Sequence, residues 1–320
     1  MMHEFELIKT FFATQTEHRA DVIHGIGDDA AVLRLPKDQE LVVTTDTLVA
    51  GVHFSEQTSP YDLGYKALAV NLSDLAAMGA TPAWVTLAIT LPKANEKWLQ
   101  GFCDGFFTLA NRYQVQLIGG DVTHGPLAMT VTALGLLPPQ TALLRSQAKS
   151  DDLLYVSGTL GDAGLGLAYL KDQLTLPIEA QRFVLERLHR PEPRIELGLA
   201  LRHHAHAAID ISDGLAADLG HILEESKVGA LVYVDQLPLS FALQDNLSPE
   251  QAISLALTAG DDYELCFTVA PNQRAALEKT LSSLACRYTC IGHIKKCVGL
   301  TLQYQNGNLY HGPVQGYQHF

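Results

Sequence analysis

Residues 41–54 read LVVTTDTLVAGVHF, a run that opens with apolar and β-branched residues and then meets Thr44, Thr45 and Asp46. The opening predicts a β-strand, because branched side chains fit a pleated surface whose successive residues face opposite ways. The three oxygen-bearing residues are expected where that strand stops. Hydroxyl and carboxylate oxygens suit a hard cation, and Mg²⁺ usually binds through one or two carboxylates together with substrate phosphates and water. A strand that simply ends in an Asp turn is the plainer, less favoured reading of the segment taken alone. The rest of the chain weighs against that plainer reading, because acidic turns of the same kind keep returning.

A chain of 320 residues is long enough for two moderate cores, and two domains are expected. The net charge of −13 argues against a general nucleic-acid surface, which needs clustered Lys and Arg, and Lys295-Lys296 is the only such run. Five cysteines, an odd number without a CxxC pair, read as reduced and structural, which fits a cytoplasmic protein. Residues 1–21 carry Glu4, Glu6, Lys9, Glu17 and Arg19 and so do not read as a signal peptide, and no apolar run approaches the roughly 20 residues of a membrane span.

In chain order, an amphipathic helix is expected over 4–12 and a glycine-acid turn over 26–31, followed by the strand from 41. A helix starts at Pro60 and ends at Gly79, a strand covers 83–91, and Asn95 is placed to cap a helix reaching about residue 113. A short strand over 115–118 should stop at Gly119-Gly120-Asp121, and a long strand over 127–137 closes the first half. A polar connection follows, so the boundaries are drawn at 1–138, 139–150 and 151–320.

The second half begins with a strand over 153–157 and a glycine-rich turn over 158–164. That turn matches neither a P-loop nor GxGxxG, so phosphate contact and a plain turn both remain open. Helices are expected over 178–189 and 194–204, and a strand over 207–211 runs into Ser212-Asp213-Gly214 and a helix. A strand over 265–269, a helix over 272–284, a strand over 288–294 and a turn at Asn306-Gly307 complete the order. Asn71-Leu72-Ser73-Asp74 faintly echoes Asp210-Ile211-Ser212-Asp213, a match short enough for chance.

Asp28, Asp29, Asp46, Asp74, Asp121, Asp210 and Asp213 mostly abut Gly, Ser or Thr at element ends. Aspartate's short side chain holds an ion near the backbone at little entropic cost. Seven such residues spread over both halves predict an interdomain site for several divalent ions, although any one of them alone reads as a solvated turn. His203-His204-Ala205-His206 reads as surface, while His53 is open between packing and contact with an anion. No HExxH, GxSxG, EF-hand, HRD or DFG string occurs.

GIGDDAAV at 25–32, VVTTDTLVAGVHF at 42–54, NLSDLAAMGA at 71–80, LIGGDVT at 117–123, DISDGLAADL at 210–219 and AGDDYELCFT at 259–268 together resemble the thiamine-monophosphate kinase family. Their order and the GYQHF ending at 316–320 agree, so the resemblance spans the chain. It implies ATP-dependent phosphorylation of thiamine monophosphate to thiamine diphosphate with several Mg²⁺ ions. The implied fold is α/β (α+β): an amino-terminal domain with a mixed sheet and helices that pairs in a homodimer, and a carboxy-terminal α/β domain that completes the active site.

Carried over by motif, Asp29, Thr44, Thr45, Asp46, Asp74, Asp121, Asp210 and Asp213 match metal ligands. Gly120, Asp121, Arg145 and Ser212 match the ATP site, and His53, Asp261 and Tyr317 match positions around thiamine monophosphate. Asp46, Asp121 and Arg145 are expected to carry catalysis. Two departures stand out, since Asp261 replaces the family's usual Glu with a shorter reach, and Tyr317 stands where Trp is common. The wider superfamily that this resemblance implies also holds aminoimidazole ribonucleotide synthetase, selenophosphate synthetase and a hydrogenase maturation factor, so another ATP-dependent enzyme of that superfamily, or a relative that binds nucleotide without turnover, is the alternative. Selenophosphate synthesis calls for a reactive residue that 1–40, without Cys, does not offer, and the hydrogenase factor calls for a Cys where this sequence has His319-Phe320.

Overall fold

The computed structural model describes residues 4–13 and 18–317, and it divides into two compact units, Met1–Leu75 with Ala80–Gln140 and Ala76–Gly79 with Thr141–Phe320. Among the described residues no helix is long and apolar enough to cross a membrane.

In the first unit, α1 (Glu4–Leu7) runs into a wider π-type turn, Ile8–Phe12, that buries Phe11 and Phe12. The short strands β1 (Val22–His24) and β2 (Val32–Leu33) pair antiparallel. Next come β3 (Glu40–Val49), α2 (Pro60–Ala77), β4 (Thr81–Leu91), α3 (Glu96–Arg112), β5 (Gln116–His124) and β6 (Ala128–Leu137). The four long strands form one sheet in the order β3-β6-β4-β5, in which only β4 and β5 run parallel. The sheet is therefore mixed, as the resemblance implies. Asn95 caps α3 by accepting from Trp98 N at 3.2 Å, a contact worth about 1 kcal/mol. Helices α2 and α3 approach through glycines, because a Cβ on Gly64 would lie 1.9 Å from Phe102 O and one on Gly105 would lie 1.9 Å from Tyr61 O.

Two strands run further than the sequence predicts. β3 continues through Thr44, Thr45 and Asp46 because each of its residues from Glu40 to Val49 is in register with β6. β5 likewise passes through Gly119-Gly120-Asp121, held against β4 after a register shift at Val85/Thr86. Main-chain pairing does not depend on side-chain polarity, so a polar motif does not end a strand that has a neighbour to pair with. Residues of the aliphatic run 83–91 lie in β4, in the middle of the sheet, and are mostly buried. Its composition follows from that central place.

The second unit starts with a 3₁₀ turn at Arg145–Gln147, then β7 (Leu153–Ser157), α4 (Asp162–Leu170), α5 (Ile178–His189), α6 (Ile195–Leu201), β8 (Ala205–Asp210) and α7 (Leu215–Ser226). β9 (Gly229–Tyr233), α8 (Phe241–Asn246), α9 (Pro249–Thr258), β10 (Leu265–Val269), α10 (Arg274–Leu281), β11 (Tyr288–Lys295) and β12 (Gly299–Gln303) follow. Its sheet order is β12-β9-β11-β7-β10-β8, antiparallel except for β12 against β9. Leu154, Val156, Ile209, Leu219, Ile222 and Val232 lie in its main core, and Leu165, Val184 and Leu243 lie in a smaller one. The sequence reading assigned no element over 229–258. Ser248-Pro249-Glu250-Gln251 was the available signal there, since Ser248 and Gln251 form a capping box with Pro249 in the first turn of α9.

Candidate active site

Strand alternation sorts the residues of the organising stretch. Thr44 and Asp46 face α2, where Thr44 Oγ1 donates to Asp74 Oδ2 at 2.5 Å and Asp46 N donates to Asn71 Oδ1 at 3.1 Å. Asn71 and Asp74 lie three apart on α2 and so share a face. The Asn71 amide is oriented by its own bond from Nδ2 to Ala67 O at 3.1 Å. Burial, reinforced by the Asp74 charge, pushes the Asp46 carboxyl up to about 6. Thr45 lies on the opposite face, with its Oγ1 2.9 Å from Thr132 Oγ1, so its hydroxyl does not join Thr44 and Asp46. Just after β3, His53 Nδ1 accepts from Val49 N at 3.1 Å, which places the proton of a neutral ring on Nε2.

The other first-unit candidates are dispersed. Asp29 is exposed, and its amide donates to Asp28 Oδ1 at 2.9 Å. Asp121 is exposed on β5, across from Ala88, and a Cβ on the preceding Gly120 would lie 1.9 Å from Leu87 O. Among the described residues no three His, Cys, Asp or Glu side chains converge as a ready metal cage. The donor chemistry of Thr44, Asp46 and Asp74 still fits Mg²⁺, which takes few protein carboxylates and completes its shell with phosphate oxygens and water.

In the second unit, Asp210 is the buried end of β8, and a tight loop follows it. Asp218 Oδ2, reaching back from α7, accepts from Ser212 N at 3.1 Å and Asp213 N at 3.0 Å. Burial pushes the Asp218 carboxyl up to about 7; the Asp213 charge adds to this, while the amide bonds oppose it. The sequence reading assigned no role to Asp218, although an acid in the first turn after Ser-Asp-Gly is the pattern of a residue that caps its own loop.

Two further segments dock on the same loop, as Asp261 N donates to Ser212 O at 2.9 Å and Tyr317 N donates to Asp213 O at 3.0 Å. Ser212, Asp213, Asp261 and Tyr317 are thereby brought together. Gln318, His319 and Phe320 lie outside the described residues. Arg145 is exposed on its 3₁₀ turn, and its carbonyl accepts from Ser226 Oγ at 2.7 Å.

The glycine-rich turn after β7 uses its amides internally. Gly158 N donates to Arg287 O, Leu160 N to Pro238 O and Gly161 N to Asp262 Oδ2, which leaves the plain-turn reading as the one the structure supports. The two halves of the short internal echo also differ, since Asn71–Asp74 is inside α2 whereas Asp210–Asp213 follows a strand. His204 and His206 engage different partners, Thr280 at 3.0 Å and Asp152 at 2.9 Å, and do not share a metal-type site.

Residues 27–137 match the family model of the AIR synthase related protein, N-terminal domain, and residues 149–305 match that of the C-terminal domain. The thiamine-monophosphate kinase of Salmonella typhimurium is 49% identical over 318 residues, covering 99% of this chain and 98% of the relative. Among solved structures, the thiamine-monophosphate kinase of Stenotrophomonas maltophilia K279a superposes with a TM-score of 0.88 at 48% identity, covering 95% of this chain and 97% of that one. AaThiL complexed with AMPPCP and TMP superposes with a TM-score of 0.78 at 29% identity, covering 100% of this chain and 97% of that one. With both domain models matched in order and near-half identity over the whole length, the chain belongs to the thiamine-monophosphate kinase family of enzymes.

Proposed function

We infer that this chain transfers the γ-phosphoryl group of ATP to the phosphate of thiamine monophosphate, giving thiamine diphosphate. The observation that carries this reading is 49% identity to a thiamine-monophosphate kinase over 99% of the chain. The complex of AaThiL with an ATP analogue and TMP supports it as well. The acceptor is a phosphate that is already anionic at neutral pH, so the reaction needs no strong base. Positioning and charge neutralisation are what the protein has to provide for an in-line displacement.

In this reading Thr44, Asp46 and Asp74 in the first unit, and Asp210 and Asp213 in the second, hold Mg²⁺, with Asp29 and Asp121 completing the ligand set; Thr45, whose hydroxyl turns to Thr132 on the other face, drops out of it. Bound Mg²⁺ would neutralise phosphate charge that these carboxylates alone would repel. Gly120, Asp121, Arg145 and Ser212 hold ATP, and Arg145 offers a guanidinium to the transferring group. His53, Asp261 and Tyr317 hold the acceptor, and the His53 ring, accepting at Nδ1, presents an Nε2 proton suited to an anion.

The working protein is a homodimer in the same reading. One face of the first unit's sheet supports it, because Leu41 and Val43 are exposed there beside the hydroxyl pairs Thr45–Thr132 and Thr47–Thr130. Incubating the purified chain with ATP, Mg²⁺ and thiamine monophosphate should yield thiamine diphosphate and ADP in equal amounts. ADP without thiamine diphosphate, or no turnover at all, would overturn the reading.

A further inference from the structure

The segment Asp261-Asp262-Tyr263-Glu264 alternates its side chains between two environments. Asp262 and Glu264 point inward and are 1% and 0% exposed, whereas Asp261 and Tyr263 are only partly buried and bond to each other, Tyr263 Oη donating to Asp261 Oδ1 at 3.1 Å. The outward pair is conformationally demanding, with left-handed backbone at both residues, φ 68° at Asp261 and 50° at Tyr263. Residues with a side chain occupy that region only when the surroundings over-determine it.

The surroundings do so from both sides. On one side the segment is zipped to the loop after β8, with Asp261 N donating to Ser212 O, Tyr263 N to Ile211 O at 2.8 Å and Ile211 N to Glu264 O at 2.7 Å. On the other side lies a buried charge cluster. Glu264 accepts a two-pronged contact from Arg194, Nε to Oε2 at 2.6 Å and Nη2 to Oε1 at 2.5 Å, together with Arg187 Nη2 at 2.8 Å and Ser157 Oγ at 2.5 Å. Arg187 also lies 3.7 Å from Asp162, and Asp262 Oδ2 accepts from Gly161 N at 2.7 Å. A Cβ on Gly158 would fall 2.0 Å from Glu264 Oε1, so the carboxylate occupies the space that glycine leaves.

Burial alone would raise the Glu264 carboxyl. The Arg194 charge and hydrogen bonds, with Arg187 and Ser157, overcome that and hold it below its ordinary value. Asp262 is driven well above its ordinary value by burial and by Asp162. One inward acid is thus an anion clamped by two guanidiniums, while burial and the neighbouring Asp162 press the other toward its protonated form.

We propose that Arg187, Arg194 and Glu264 form a positioning device for acceptor recognition, which holds the Asp261–Tyr263 pair in its left-handed form as one binding element for thiamine monophosphate. The proposal rests on the kinase reading above and adds to it four residues that the motif comparison leaves without a role. Tyr263 acts through Asp261 by fixing its carboxylate. The arginines act one step further back, through Glu264 and the backbone. None of the four touches ATP in this scheme, so their loss should separate the two substrates.

Steady-state kinetics and amide hydrogen exchange on the full chain test it, with Arg194→Lys and Tyr263→Phe. Lys keeps the charge but loses the two-pronged contact. Arg194→Lys should speed exchange at Asp261 and Tyr263 about tenfold or more, and raise KM for thiamine monophosphate roughly five- to thirtyfold, with KM for ATP and kcat within about twofold. Tyr263→Phe should give the same split in KM while exchange at the Asp261 amide stays at the wild-type rate. Unchanged exchange in Arg194→Lys, or both KM values rising together in either variant, would overturn the proposal. If Arg194→Lys does not fold, the KM split in Tyr263→Phe decides. Exchange is read without substrate, so it reports the cluster's grip on the loop even if the unmodified chain makes no thiamine diphosphate, a result that would instead overturn the kinase reading.

Discussion

At the residue scale, the first unit pairs two carboxylates, Asp46 and Asp74: the Thr44 hydroxyl donates to Asp74, whereas burial and the Asp74 charge both raise the Asp46 carboxyl. Such a pair is costly when empty and useful when a cation arrives. Asp46→Asn keeps the shape and removes one charge. It should lower kcat by about 100-fold or more at saturating Mg²⁺, while the variant melts no lower than wild type in EDTA, because a like-charge contact has gone. Near-normal turnover would remove Asp46 from the metal set.

Glu264 makes the opposite prediction for pH. Its folded value lies below the ordinary 4.5, so its stabilisation is fully present above that pH and is lost as pH falls through the lower folded value. Removing one partner of a buried ion pair costs about 3–5 kcal/mol. Urea unfolding should therefore show Glu264→Gln less stable than wild type at pH 7, with the gap narrowing below pH 4.5. A gap that stays constant with pH would mean that the loss is one of packing.

At the scale of elements, the carboxy-terminal tail is held by the Tyr317 amide on Asp213 O, and Tyr317 is 47% exposed. Tyr317→Ala keeps that amide and deletes only the ring, so it separates docking from stacking. A cation–π contact with the thiazolium is worth roughly 0.5–2 kcal/mol. KM for thiamine monophosphate should rise from a few-fold to about thirtyfold, with ATP binding and melting temperature unchanged. Gly316→Ala should reach the same kinetic end by another route, since its Cβ would sit 2.5 Å from Asp213 O and 2.7 Å from Ala217 Cβ and would lift the tail from the loop. Calorimetry on both variants checks this, and a parallel loss of ATP affinity would assign the tail a purely structural role.

At the scale of the whole molecule, the first unit leaves part of one sheet face uncovered, with Val43 55% and Leu41 42% exposed. A homodimer through this face predicts that Val43→Asp, by placing a charge in an apolar contact, converts the protein to a monomer. Sedimentation velocity at micromolar concentration would show twice the 34.8 kDa chain mass for wild type and the single mass for the variant. A monomeric wild type would remove this face as an interface.

The sequence was informative wherever a local rule acts. The apolar, β-branched opening from Leu41 reads as a strand, Asn95 caps its helix, Asn306-Gly307 turns, and the acidic motifs stand in the order of the family. Tertiary structure decided the rest. A two-residue period separates Thr44 and Asp46 from Thr45, yet which face meets α2 is settled only when the sheet packs. The stop expected at Asp46 did not occur because β6 was there to pair with it. Within Asp261-Asp262-Tyr263-Glu264, four adjacent polar residues look alike in sequence, and the inward pair is chosen by Gly161, Arg187 and Arg194, which lie far away along the chain. Burial makes charge expensive unless a partner is present, and only the folded chain brings that partner to it.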